Sequence, residues 1–323
     1  LVMREANTEH FHASPVCTNC TKAKSNRSIL QSDINSGRAI AQIIQESPTP
    51  TVSIENVPDY QGTVPYNMIM EALNEGGYTS DAGVYDAADF GGSQTRKRLI
   101  IRGVLDGDLP PLPEKQAPGD WYETIKDLID DAPDEKFIGR KGRKNDELQR
   151  IENYVAKGRL TFDKPILTMG GSASKGIPYA ANSRSPSPTL LSTTHQVPRI
   201  IMPDGRIKRL TGRMMARLMG LPDNFKVPDD WNMAKKTLGN GIHGDITRNI
   251  IQPLLDIDQV TLGMPEGDLD VHGRDQPKPG LAKPWLSPEA RAAQDEADRL
   301  RMTQVISRET VRLEISRRRG GTP

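Results

Sequence analysis

The sequence predicts an α/β protein in which part of a doubly wound sheet is followed by a smaller, irregular domain. Two observations lead there. Over residues 1–105, short β-branched runs alternate with segments of helical spacing. Past residue 106 that alternation gives way to proline-, glycine- and serine-rich sequence.

The first strand is expected near 9–14, in "EHFHAS", and a helix near 28–46, where Ile29, Ile40, Ile43 and Ile44 share an apolar face. Thr51, Val52, Ser53 and Ile54 then read as a buried strand covering 51–56. A second helix near 65–76 closes at Gly76-Gly77 after Leu73. Strands near 79–86 and 98–104 complete the first domain, 1–105. From 106 to about 207 come a proline-rich exit, a short helix in "WYETIKDLIDDAP", the basic run "GRKGRKNDELQR" and loops over a small irregular scaffold. Residues 208–256 hold "LTGRMMARLMGLP", whose methionines suit core filling, and "IHGDITRNIIQPLL", a helix expected to return to the sheet and make the first domain discontinuous. Residues 257–323 form a polar tail, with a charged helix opening at Ser287-Pro288-Glu289 and carrying Asp295–Arg299 and Glu314–Arg318 pairs.

Composition limits the chemistry. With 35% apolar and 5% aromatic residues, 25 prolines and 28 glycines, much of the 323-residue chain is expected to be loop and linker around two globular parts. The net charge of +1 confines any nucleic-acid contact to local basic patches. Two cysteines make no disulfide framework, and neither a signal-type apolar segment nor a run of 18 apolar residues is present. A reduced, cytoplasmic protein with no membrane partner is the default expectation.

Both cysteines, Cys17 and Cys20, fall in "HASPVCTNCTKAKSN". A structural zinc site needs further ligands, and His10, His12, His195 and His243 show no HxxxH spacing, so no metal is expected. A redox pair at a helix start fits the position equally well. The alternative is a single nucleophile: Cys17 follows the tight exit Ser14-Pro15-Val16, where helix-start amides with Lys22 and Lys24 lower a thiol pKa. Glu55-Asn56-Val57-Pro58 leaves a strand at its carboxyl end, where α/β sheets collect ligands. Glu55 is read either as an acid in a fixed turn or as a solvated carboxylate. Gln94, Arg96 and Arg98 alternate along one extended face, as suits a planar, electron-rich ligand or, equally, a solvated basic edge.

In this order, the stretches resemble the DNA cytosine-5 methyltransferase family. Pro15-Val16-Cys17-Thr18 is similar to its Pro-Pro-Cys-Gln loop, Glu55-Asn56-Val57 matches its Glu-Asn-Val motif, and Gln94-Thr95-Arg96-Lys97-Arg98 its Gln-x-Arg-x-Arg motif. "RLTGRMMARLMGLPDNF" and "LGNGIHGDITRNII" are similar to its two last signatures. Departures are Val16, Thr18, Cys20 in place of Phe, and Met214 in place of Glu. The family's glycine-rich, acidic cofactor motifs should precede the nucleophile, yet only sixteen residues lie before Cys17. Upstream sequence is therefore expected to be missing, leaving a class I methyltransferase sheet of Rossmann-like type incomplete at its N-terminus. The chain alone is then expected to bind S-adenosylmethionine poorly and to transfer no methyl group.

The resemblance implies C5 methylation of a cytosine flipped out of double-stranded DNA, of the restriction-modification kind. It implies Cys17 as nucleophile at C6, Cys20 as a packing residue, Glu55 at N3, Arg98 with Arg96 behind it at O2, and Asn56 fixing the Glu55 loop. Pro15 and Asn240 would line the S-adenosylmethionine site. Gln94, Arg140, Lys141, Arg143, Lys144 and Arg213 would meet DNA, with 106–207 as target-recognition domain. The rival reading is a non-catalytic DNA-binding subunit, its cofactor half supplied by a second chain.

Overall fold

A computed structural model describes residues 8–16, 29–137, 146–170, 180–193 and 196–257. Cys17, Cys20, Lys22, Lys24, Arg140, Lys141, Arg143, Lys144, His195 and the tail helix lie outside the described residues.

The first sheet comprises β1 (His10–Ala13), β2 (Thr51–Asn56), β3 (Tyr78–Asp86) and β4 (Lys97–Leu105), in the order β1-β2-β4-β3. β1 and β2 run parallel, joined by helix α1 (Gln31–Glu46), while β4 is antiparallel to both β2 and β3. Every residue of β2 is buried, as its run of β-branched side chains requires. Helix α2 (Val64–Glu75) starts where the Thr63 hydroxyl accepts from the Tyr66 amide, with Pro65 in its first turn.

One face of this sheet carries Val52, Ile54, Leu99 and Ile101, which pack on Ile40 and Ile44 of α1 and on Ile69 and Leu73 of α2. Each such side chain contributes about 1.5–3 kcal/mol by leaving water. The two helices cross closely at Gly37, where a β-carbon would stand 2.4 Å from that of Pro65.

On the other face Ile100 meets Ile246, Ile250 and Ile251, and Val104 meets Leu254. These come from the last described helical run: Gly244–Ile246, a π-turn at Thr247–Ile251, and Gln252–Leu255. This run therefore packs against the first sheet.

Where the sequence reads as irregular, a second sheet forms: β5 (Ile166–Thr168), β6 (Ala180–Asn182), β7 (Arg199–Ile201) and β8 (Ile207–Arg209), antiparallel in the order β6-β5-β7-β8. The short helix predicted at "WYETIKDLIDDAP" is α3 (Trp121–Ile125), and α4 (Asp146–Ala156) packs Ile151 against Ile166 and Ile201. Trp121, Ile125, Met214, Met215, Met219 and Leu238 share a core that joins α3 to α5 (Gly212–Leu218) and α6 (Trp231–Asn240). The methionines are core filler, as their sequence context implies. Among the described residues no helix is long and apolar enough to cross a membrane, and no cluster of metal-ligating side chains occurs.

Candidate active site

Because β1 and β2 are parallel neighbours, the chain leaves both at the same end of the sheet, with Ala13 paired to Ile54. Beyond these ends, Asn56 ties the two exits together. Its Nδ2 donates to the Pro15 carbonyl at 3.1 Å, and its Oδ1 accepts the Val57 amide at 2.8 Å. Asn56 thus braces the turn after Glu55 and holds the backbone two residues before Cys17. Pro15 itself is buried.

Glu55 lies on the sheet face shared with Arg98, because their strands are antiparallel and Glu55 pairs with Ile100. Arg98 Nε and Glu55 Oε1 are 2.8 Å apart, with only 13% and 9% of the two side chains exposed. A guanidinium this close and this shielded holds the carboxylate in one orientation more firmly than an exposed pair would. On the same face, His12 Nδ1 and His10 Nε2 each lie 2.8 Å from the Ser53 hydroxyl.

Gln94 and Arg96 depart from the expectation that they face a ligand beside Arg98. Both are fully buried. The reason is a segment with no strand-like signal: Ser187 pairs with Gln94 in a parallel bridge, and the chain through Leu190 lies alongside. The Arg96 guanidinium donates to the carbonyls of Leu190 at 3.0 Å, Gly239 at 2.8 Å and Gly241 at 2.7 Å. Burial and the neighbouring Arg98 push its pKa down to about 9, against the pull of Glu55, so it remains protonated at neutral pH. Arg96 is therefore a clamp on two backbone segments, one at Leu190 and the other at the end of α6, Gly239–Gly241. It cannot touch a base in this arrangement, and Gln94 cannot touch DNA.

Asn240 stands exposed at the end of α6. Arg213 folds back on its own loop, donating to the carbonyls of Pro222 at 3.4 Å and Phe225 at 2.8 Å. Met214, at a position where an acid was noted as usual, is fully buried in the core.

A group that the sequence reading used only to weigh a zinc site is His243. It is fully buried, its Nε2 lies 3.0 Å from the Leu218 carbonyl, and its Nδ1 accepts from the Asp245 amide at 3.2 Å. Arg248 bonds both Asp245 and the Gly220 carbonyl, closing this junction between α5 and the return helix. Gly220 has φ +69°, and a β-carbon there would sit 2.9 Å from the imidazole. Burial pushes the His243 pKa down to about 4, with Asp245 and the Leu218 carbonyl pulling up and Arg96 and Arg248 pushing down.

The sign of the pH effect follows. The unfolded imidazole takes up a proton near pH 6.5 and the folded one only near 4, so stability is full above 6.5 and falls as pH drops towards 4. The loss attributable to His243 is about 3 kcal/mol across that window. Denaturant titrations of the wild type and of His243→Leu between pH 7 and 4.5 should show the steeper decline in the wild type; parallel curves would exclude this role.

A profile of the family described as C-5 cytosine-specific DNA methylase matches residues 8–256, well over half of the chain. The chain is 24% identical to the type II methyltransferase M.NgoBI of Neisseria gonorrhoeae over 63% of its own length and 60% of the relative's. It is 27% identical to M.HaeII of Haemophilus aegyptius over 57% of its length and 53% of the relative's. The chain thus spans between about half and three-fifths of these curated relatives. Among solved structures, a methyltransferase of Entamoeba histolytica aligns with a TM-score of 0.53 at 12% identity, covering 79% of each chain. A putative DNA modification methyltransferase encoded within a prophage, from E. coli, aligns at 0.51 with 18% identity, covering 77% of this chain and 79% of that one. These likenesses show a shared Rossmann-like methyltransferase fold.

Proposed function

Because the chain belongs to the C-5 cytosine-specific DNA methylase family, we propose that it acts on cytosine in double-stranded DNA, adding a methyl group at C5. The observation that carries this reading is the shielded Glu55–Arg98 pair at the carboxyl end of β2, with Asn56 pinning the backbone that leads to Cys17. S-adenosylmethionine supplies the methyl group. Of the residues assigned to its site, Asn240 is exposed and open to a ligand, whereas Pro15 already gives its carbonyl to Asn56. These two residues do not by themselves enclose a cofactor.

What the chain's own residues do is activate the base. A cytosine taken out of the stack exposes its ring atoms. The Cys17 thiolate adds to C6 while Glu55, held by Arg98, hydrogen-bonds N3 and shares its proton, neutralising the charge that builds on the ring. Arg98, half-buried with its Nε on Glu55, also donates at the cytosine O2. The adduct makes C5 nucleophilic, and after substitution there, loss of the C5 proton and of Cys17 restores the aromatic ring.

The type II relatives' names suggest a partner role to a restriction activity. The basic run at Arg140, Lys141, Arg143 and Lys144, with Arg213, would contribute phosphate contacts.

Two readouts on unmethylated DNA test the reading. Addition at C6 makes the C5 hydrogen exchangeable, so the chain should release tritium from DNA labelled at cytosine C5, and a protein whose cofactor site is complete should with S-adenosylmethionine yield 5-methylcytosine in nucleoside digests. Methylation at an exocyclic amine, or failure of both readouts, would overturn it.

A further inference from the structure

Gln94 and Ser187 are bridge partners with zero exposure, yet Gln94 Nε2, Gln94 Oε1 and Ser187 Oγ have no hydrogen-bond partner among the described residues. Backbone bonds join the two segments here: the Thr95 amide donates to the Ser187 carbonyl at 2.9 Å, and the Ser187 amide to the Ser93 carbonyl at 2.7 Å. That ladder sets the spacing of the two side chains, which stand on the same side about 5 Å apart at their bases. Two residues on, Arg96 Nε is also buried without a partner, although its terminal nitrogens are used.

A buried amide or hydroxyl left unpaired is costly, and folded proteins almost always supply a partner, commonly an internal water with two to four bonds. The bridged pair offers one acceptor, one neutral donor and one hydroxyl that does either. With no carboxylate among them, the pair suits a neutral ligand and disfavours a metal ion. We propose that Gln94 and Ser187 form a binding site for an internal water molecule, joining the strand that carries Arg98 to the Ser187–Leu190 segment. The water completes a seam whose other ties are Thr189 Oγ1 to the Thr95 carbonyl at 2.5 Å and Arg96 to the Leu190 carbonyl. Arg98 stands two residues beyond Arg96, so the seam fixes the start of β4, from which Arg98 reaches Glu55.

The test is one of stability and is independent of the methylation reading. Thermal and denaturant unfolding of the full chain would be compared for wild type, Gln94→Met, Ser187→Ala and the double variant. If a water is bound, each single variant melts roughly 2–6 °C lower, and the double variant falls by less than the sum, because either change strips the water of a partner. If the side chains are simply unpaired, removing their polar atoms leaves the melting temperature unchanged or raises it. That result, or strict additivity, overturns the proposal. Should Gln94→Met fail to fold, Ser187→Ala alone decides, since it deletes only the hydroxyl oxygen.

Discussion

Replacing Cys17 by serine is expected to lower tritium release from cytosine C5, and methyl transfer in a protein whose cofactor site is complete, by about ten-thousand-fold or more, the scale on which a lost covalent nucleophile lowers turnover. A serine hydroxyl is scarcely ionised at neutral pH, whereas a thiol ionises several pH units lower and is the stronger nucleophile. Cys20→Ser or Cys20→Val should retain most activity, because a small spacer can be exchanged for another of similar volume. The tritium readout needs no methyl donor and therefore reports on attack at C6 alone. An inactive Cys20 variant beside an active Cys17 variant would reverse the assignment.

The distinction between the two cysteines comes from sequence, since neither is among the described residues. What the structure adds is the anchoring of Pro15 by Asn56, a contact across 41 positions that no local pattern announces.

The first sheet was legible because each of its strands carries its own signal. Thr51–Asn56 is found with the predicted bounds, and Tyr78–Asp86 and Lys97–Leu105 begin one residue earlier than expected. The insertion of β4 between β2 and β3 was not legible, because pairing across a sheet is set by long-range packing. In the second sheet the strands are three residues long, too short for alternation to show, so the sequence there reads as loop.

The same limit explains Gln94 and Arg96. Their alternation with Arg98 suggested one extended segment, but β4 begins only at Lys97, and alternation does not say what covers a face. Ser187–Leu190 supplies the cover from a Ser-Pro-rich stretch that carries no periodicity. The sequence therefore exposed three polar residues of one motif and left unstated that two of them are interior.

Glu55→Gln should cut the rate of the chemical step by about a hundred- to ten-thousand-fold while changing DNA affinity only a few-fold, because the amide keeps the shape and an acceptor but exchanges no proton with N3. The variant carries a second, separable effect. Arg98 loses a carboxylate 2.8 Å away in a site where little of either side chain is exposed, and a neutral amide replaces a charge-assisted bond worth about 1–3 kcal/mol. A fall in melting temperature should accompany the loss of rate, and the two must be told apart. Glu55→Asp serves that purpose: it retains the proton-sharing group and the charge but shortens the reach to Arg98, so it should recover stability in part and C5 exchange only where geometry allows. Single-turnover rates and DNA titrations on both variants, run well below their melting temperatures, make the comparison. If Glu55→Gln loses affinity and rate in equal measure, or keeps its rate while losing only stability, Glu55 is a support for Arg98 and not the proton-sharing acid.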